Sequence, residues 1–365
     1  MKRTIVAAAA CHAASWACAQ SSVTLFGVAD AAVTYTTGSG PVSSRKWQLT
    51  SDGNTFSRIG FRGAEDLGGG LAASFWLEAG LQIATGSGFP TNTNNQASGN
   101  TPPSGLNFNR RSTLSLSGSF GELRLGRDYT PTFWSTALFD PFGTGGGIGA
   151  NQIYFSGLGG LTAPTGTRAS NSVGYFLPPN LGGFYGQLMV ARGENGSRSD
   201  APTSNRNDGN YAGGRFGYLH GPFNIALAVG RTTYAAAGDL RVTNLSASYT
   251  FESLRDLKLM GEYYDESQGA VDGKGALIGL NLPIGASEIK FSYARYERQP
   301  AGNAPKPTTL KAALGYVYNF SKRSAVYATV ARISNSRGAS QALGGATTSP
   351  NHASTGAEFG LRHAF

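Results

Sequence analysis

Cysteine is almost missing from this chain of 365 residues; Cys11 and Cys18 are the only two, and both fall in the first twenty positions. No disulfide can staple the body of the chain, and no cysteine-based metal site can form there. Histidine is scarce as well. Beyond the first twenty residues there are only His220, His352 and His363, placed at a turn, in a loop and on a closing segment. That spread offers neither a nucleophile–base–acid constellation nor a His cluster for a metal, so an enzyme is disfavoured and no cofactor or metal is expected. Charged residues make up only 14% of the chain. Long apolar runs are lacking too: nothing approaches the roughly 18–20 apolar residues of a membrane-spanning helix. What the chain does have is glycine, 52 of them, and apolar residues that alternate with small polar ones over most of its length. That combination suits an all-β protein with many turns.

The N-terminus reads as a targeting segment. Lys2 and Arg3 supply a positive start, Thr4 to Ala14 is a modest apolar run rich in alanine, and Ala17-Cys18-Ala19 fits a small-residue cleavage site. The expected organisation is a signal peptide over residues 1–19 and one domain over 20–365. The mature chain then loses both cysteines, and its basic excess falls from 9 to 7, because Lys2 and Arg3 leave (30 minus 2 is 28, against 21 acids).

Period-two alternation runs along the mature chain in about sixteen segments, each near the roughly ten residues of a tilted membrane strand. Val23, Leu25, Gly27, Ala29, Ala31, Val33 and Tyr35 share one face; Ala73, Phe75, Leu77 and Ala79 share another, opposite Trp76 and Glu78. Short connections such as Leu67-Gly68-Gly69-Gly70 and Gly221-Pro222 alternate with long ones at 84–106, 128–167, 192–209, 297–307 and 334–354. Loops sorted in this way predict an up-and-down barrel with tight turns on one rim. A soluble Greek-key sandwich has no reason to sort them. Tyr263, Tyr264, Tyr293, Tyr296, Tyr316 and Tyr318 lie near strand ends, as aromatic girdles require.

The stretch Ser57-Arg58-Ile59-Gly60-Phe61-Arg62-Gly63 states the problem compactly. As a strand it places Ile59 and Phe61 on one face and Arg58 and Arg62 on the other. An arginine facing mid-membrane lipid costs about 2–4 kcal/mol, so the arginine face must be wet. Arg168 shares its face with Ser170 and Ser172. In Asn109-Arg110-Arg111-Ser112-Thr113, alternation places Arg111 on the wet side with Thr113 and Ser115. The basic balance does not point to nucleic acid, because the arginines are scattered over many strands without a recognised motif. Residues 128–167 form the longest connection and contain Asp128 and Asp140 but no lysine or arginine. The glycine run 143–149 lacks the spacing and the lysine of a phosphate-binding loop.

The segments Ser21–Asp30, Arg58–Leu71, Phe120–Asp128 and Gly360–Phe365 together resemble the general diffusion porins of Gram-negative outer membranes, nearest to those of β-proteobacteria. The resemblance implies a 16-stranded antiparallel transmembrane β-barrel, a homotrimer, and a third extracellular loop folded into the barrel. Asp140-Pro141-Phe142-Gly143 is similar to the tip of that loop. The resemblance matches Arg110, rather than Arg111, to a constriction arginine alongside Arg58 and Arg168, so both members of the pair stand as candidates. The expected pore lining is basic (Arg58, Arg62, Arg110, Arg111, Arg168) facing acids at Glu78, Asp128 and Asp140. Phe365 resembles the signal read by the barrel-assembly machinery. The implied function is a water-filled outer-membrane channel for small hydrophilic solutes that prefers anions, in contact with lipid and lipopolysaccharide. A channel specific for phosphate or an organic anion is the alternative. Rings of basic side chains select anions, and a transverse field orients dipolar solutes.

Overall fold

The computed structural model describes residues 22–103, 105–154, 161, 163–196, 200–201, 204–302 and 305–365. The expected signal peptide lies outside the described residues. Sixteen antiparallel strands close into one barrel. β1 is Ser22–Gly38; β2 comes in two segments, Arg45–Ser51 and Arg58–Gly68; β3 is Leu71–Gly80. Then follow β4 (Arg111–Gly118), β5 (Gly121–Tyr129), β6 (Arg168–Phe176), β7 (Phe184–Ala191) and β8 (Tyr211–His220). The second half is β9 (Phe223–Thr232), β10 (Leu240–Phe251), β11 (Leu257–Gln268), β12 (Val271–Ile284), β13 (Ser287–Gln299), β14 (Thr308–Asn319), β15 (Ser324–Ser336) and β16 (Ser354–Ala364). Each strand pairs with its sequence neighbours, and β16 returns to β1 in register from Val28↔Ala364 to Gly38↔Ser354. Closure leaves no unpaired edge, which is the condition for a sheet to cross lipid.

The barrel is inside-out relative to a soluble protein. Large apolar side chains on its outer wall are exposed, among them Leu114 at 60%, Val190 at 54% and Phe359 at 61%, whereas Asn244, Ser246 and Glu262 on the inner face are buried. An outer surface this apolar needs lipid around it. No helix among the described residues is long and apolar enough to cross a membrane; the strands do the crossing. Of the tyrosines expected in the girdles, Tyr263, Tyr293, Tyr316 and Tyr318 face outward. Tyr264 and Tyr296 point inward and are buried, a correction to the sequence reading. Each is separated from its outward neighbour by an odd number of positions, so the pleat sends it to the other face.

Connections are short on one rim, such as the Gly69-Gly70 turn, where both residues take positive φ (63° and 79°) without steric cost. The other rim carries the expected long loops. It also has a two-residue link at Gly269-Ala270 and shorter ones at 39–44 and 233–239, so the alternation of short and long is not strict.

Two interruptions matter for the interior. Residues 52–57 leave the line of β2 and fold inward. Asp30 holds them by accepting the N–H groups of Gly53, Asn54 and Thr55 at 3.2, 3.0 and 2.8 Å. The second is loop three, residues 130–167, which starts with a helix α1 (Pro131–Leu138) and crosses the barrel interior. Thr136 donates to Glu262 on β11 at 2.8 Å, and Leu161 N–H donates to Glu266 at 2.8 Å. Tyr154 stacks on Tyr264 at 4.7 Å between ring centroids. Phe142 and Ile148 pack with Ala313, Ala331 and Ile333 of β14 and β15. Lys311 donates to the Ala150 carbonyl. The wall makes room: a Cβ on Gly275 would sit 2.3 Å from the Tyr154 ring, and one on Gly279 2.3 Å from Pro141.

Candidate functional site

With α1 packed on β8 to β10 and the rest of loop three docked on β9 to β16, the opposite wall, β2 to β6, is left facing the open lumen. Three arginines converge there. Arg58 begins the second segment of β2, Arg168 begins β6, and Arg110 immediately precedes β4. Glu78 of β3 lies between β2 and β4: its Oε1 accepts from Arg110 Nε at 2.5 Å and lies 3.8 Å from Arg58 Nε. Trp76 Nε1 donates to its other oxygen at 3.0 Å. Tyr129, the last residue of β5, bridges the remaining pair, accepting from Arg110 Nη2 at 2.7 Å and from Arg168 Nη2 at 3.1 Å. The Arg168 guanidinium also covers the Tyr129 ring at 4.5 Å, and Arg110 covers Phe56 at 4.6 Å. Phe56 comes from the inward excursion of β2, and its carbonyl accepts from Arg58 Nη1 at 2.9 Å. The result is a continuous chain, Arg58–Glu78–Arg110–Tyr129–Arg168, with three cations against one carboxylate.

Burial grades the cluster. Arg110 is 7% exposed, whereas the Arg58 side chain is 27% exposed and reaches water. Arg168 Nε has no hydrogen-bond partner. A cavity of about 280 Å³ lies against this wall, bordered by Phe56, Arg110 and Arg168 on one side and by Phe133 and Thr144 of loop three on the other. Cation–π contacts and the tyrosine hydroxyl hold the guanidiniums close together without neutralising them.

A second group lies nearer the short-turn rim and is balanced. Arg124 binds Asp128 at 2.5 Å and Glu122 at 2.9 Å, and Arg111 lies 4.0 Å from Asp128. Arg111 also donates to Thr113 at 3.0 Å and covers Trp76 at 4.7 Å. Arg62 rests between the Phe26 and Trp76 rings, at 5.4 and 5.3 Å.

Both members of the Arg110/Arg111 pair therefore enter the lumen. Arg111 stands opposite Glu78 in the ladder, on the wet face as alternation requires. Arg110 lies outside the strand, so the pleat does not bind it, and the ladder from Arg111 onward is regular. An irregularity falls on β5, between Gly126 and Asp128, where Gly126 takes φ 125°. It throws Arg127 outward from the ladder to bond the Asn109 and Asn92 carbonyls at 2.7 and 3.0 Å, which ties down loop two. The acids sit differently from a free acidic lining. Asp128 belongs to β5 rather than to the loop, is 1% exposed, and is ion-paired. Asp140 is 5% exposed and accepts the N–H groups of Phe142 and Asn151 at 2.9 and 2.7 Å, so it folds the loop tip. Burial raises its pKa to about 6.

A closed sixteen-stranded wall, greasy outside and wet inside, with a loop across its lumen, is the form that the comparisons with known proteins also return. The family model of Gram-negative porins matches residues 4–338. This chain belongs to the Gram-negative porin family. It is 36% identical, over the full length of both chains, to outer membrane porin protein 32 of Delftia acidovorans. It is 29% identical to an outer membrane porin protein of Bordetella pertussis, covering 90% of this chain and 93% of that one. Among solved structures it is similar to the anion-selective porin from Comamonas acidovorans, with a TM-score of 0.79 and 32% identity over 95% of this chain and 100% of that one. This porin is thus an outer-membrane protein of a Gram-negative cell and a water-filled channel for small hydrophilic solutes, in a family of channels rather than enzymes.

Three participants at the porin's inner wall escape sequence reasoning: Tyr129, Arg124 and Arg127. Arg124 carried a signal, since it alternates with Leu123 and Leu125. Tyr129 carried none, because its value lies in ending β5 beside Arg110 and Arg168.

Proposed function

We propose that this porin prefers anions, and that Arg58, Arg110 and Arg168 set the preference. The observation that carries the reading is the chain of three guanidiniums sharing one carboxylate and one phenol, beside a lumen cavity. Its net charge is two positive. The acids that the sequence placed opposite, Asp128 and Asp140, are occupied by Arg124 and by the loop's own backbone, which supports a basic eyelet more than a balanced one. Two like charges about 7 Å apart repel by roughly 0.6 kcal/mol in water and several-fold more at lower dielectric. A passing anion relieves that repulsion, and a passing cation adds to it. Arg62 and Arg111 extend the basic lining toward the short-turn rim, with Arg111 partly neutralised by Asp128.

The native assembly in this reading is a homotrimer embedded in lipid and lipopolysaccharide. Residues 1–19 are a cleaved signal peptide, and Phe365 is the signal read by the barrel-assembly machinery. Planar-bilayer recording tests the proposal. Under a KCl gradient the zero-current potential should lie on the chloride side, and conductance should rise linearly with salt. A potassium-side potential would overturn the preference; saturation by a micromolar anion would favour the solute-specific alternative.

A further inference from the structure

On the short-turn side of loop three lies a cavity of about 660 Å³, divided from the arginine chain described above by the contact of Trp134 with the Tyr129 ring at 5.2 Å. It is lined by Trp134 and Leu138 of α1, Phe176 of β6, Tyr185 of β7, and Arg215 and Leu219 of β8. Arg215 and Leu219 share the inner face of β8, four positions apart, so both look into the lumen and not into lipid. The lining is unusual for a wet channel. Leu138 is 45% exposed and Leu219 51% exposed, and Trp134 is half-buried, so an apolar patch faces water inside the barrel. Covering such a patch removes apolar surface from water and is favourable.

The one cation there is poorly partnered. Arg215 is 9% exposed, stacks over the Tyr185 ring at 4.8 Å and donates from Nη2 to the Tyr185 hydroxyl at 3.2 Å. Its Nε has no hydrogen-bond partner. Among the described residues no carboxylate lies within ion-pair distance of it. The Tyr185 hydroxyl passes its own proton to Asn224 at 2.7 Å, so it is free to accept but not to neutralise. The neighbouring cation Arg124, stacked on Phe176 at 4.0 Å, is already committed to Glu122 and Asp128.

We infer that this cavity is a transit subsite for small amphipathic organic anions, of the class of aryl monocarboxylates. The carboxylate takes the Nη side of the Arg215 guanidinium, since the unpartnered Nε is itself closed off from water, and the ring lies against Trp134, Leu138 and Leu219. The volume is in the range of small-molecule sites. A fork-shaped donor with an apolar floor distinguishes this class from inorganic anions, which gain nothing from the floor. The inference rests on the anion preference proposed above and adds a second, chemically different step on the exit side.

The probe is phenylacetate, compared with acetate at equal concentration, in single-channel recordings. Only inserted channels are scored, so every variant counted is folded. Phenylacetate should interrupt the current where acetate does not. Arg215→Gln and Trp134→Ala should each weaken that block by about tenfold. Equal effects of phenylacetate and acetate, or an unchanged block in both variants, would overturn the subsite. The chloride zero-current potential of the unmodified channel is read separately. If it falls on the potassium side, the eyelet reading has failed; if it stays on the chloride side while the block is unchanged in the variants, only the subsite has.

Discussion

Replacing Glu78 by glutamine is the sharpest perturbation of the arginine chain, because one carboxylate separates Arg58 from Arg110. The amide keeps the shape and one acceptor, and the cluster goes from two net positive charges to three. An anion passing about 6 Å from the carboxylate is repelled by roughly 0.7 kcal/mol at the dielectric of water and by roughly 2.8 kcal/mol at an effective value near 20. Anion occupancy of the eyelet should therefore rise by between about threefold and about a hundredfold. Stability should fall. Breaking a buried ion pair costs about 3–5 kcal/mol, and the 27% exposure of the Arg58 side chain pulls the value toward the lower end. The assay pairs the zero-current potential with the temperature at which the barrel unfolds on a gel. Glu78→Gln channels should move further to the chloride side and melt earlier. A native-like barrel with unchanged or reduced chloride preference would refute the electrostatic argument.

Other outcomes follow from the same contacts. Tyr129→Phe removes the acceptor shared by Arg110 and Arg168 and should cost about 1–3 kcal/mol, read as a lower melting temperature and noisier open-channel current; a silent variant would mean that the rings alone hold the guanidiniums. Phe142→Ala empties the anchor of loop three among Ala313, Ala331 and Ile333. It should cost about 3–5 kcal/mol and give larger conductance with faster proteolysis between 130 and 167. Acidification should sharpen chloride preference. Asp140, raised by burial to about 6, is charged at neutral pH and takes up a proton below that value, so the lumen loses a negative charge as pH falls. Asp140→Asn should shrink the step in zero-current potential near pH 6, and the part that remains belongs to Asp52, which burial also raises to about 6 beside Arg110.

The barrel was legible in the sequence because lipid and lumen impose opposite chemistry on alternate residues. Leu114 and Leu116 against Thr113 and Ser115 suffice to orient β4. Arg58 and Arg168 were legible for the same reason. The pattern fails where the chain stops being a ladder. Arg110 precedes its strand, so alternation assigns it no face. Arg127 sits at the β5 irregularity, where the alternation of Arg124 and Gly126 breaks. Residues 52–57, which carry Phe56 to Arg110, look like a turn in sequence and fold inward only because Asp30 accepts three of their N–H groups. Loop three was legible as the longest connection, but its docking was not. Glu262, Glu266, Glu358 and Lys311 are far from loop three in sequence, and only the closed barrel brings them to its backbone and side chains. Tyr264 and Tyr296 were grouped with the girdles by position along the strand, although the pleat turns them inward to Tyr154.

We propose that the arginine chain writes the sign of the lumen. The most direct test is the zero-current potential of the Arg58→Glu, Arg168→Glu double variant beside the unmodified channel, under the same KCl gradient. The potential should cross from the chloride side to the potassium side. A variant that inserts normally and keeps chloride preference would show that the selectivity lies elsewhere.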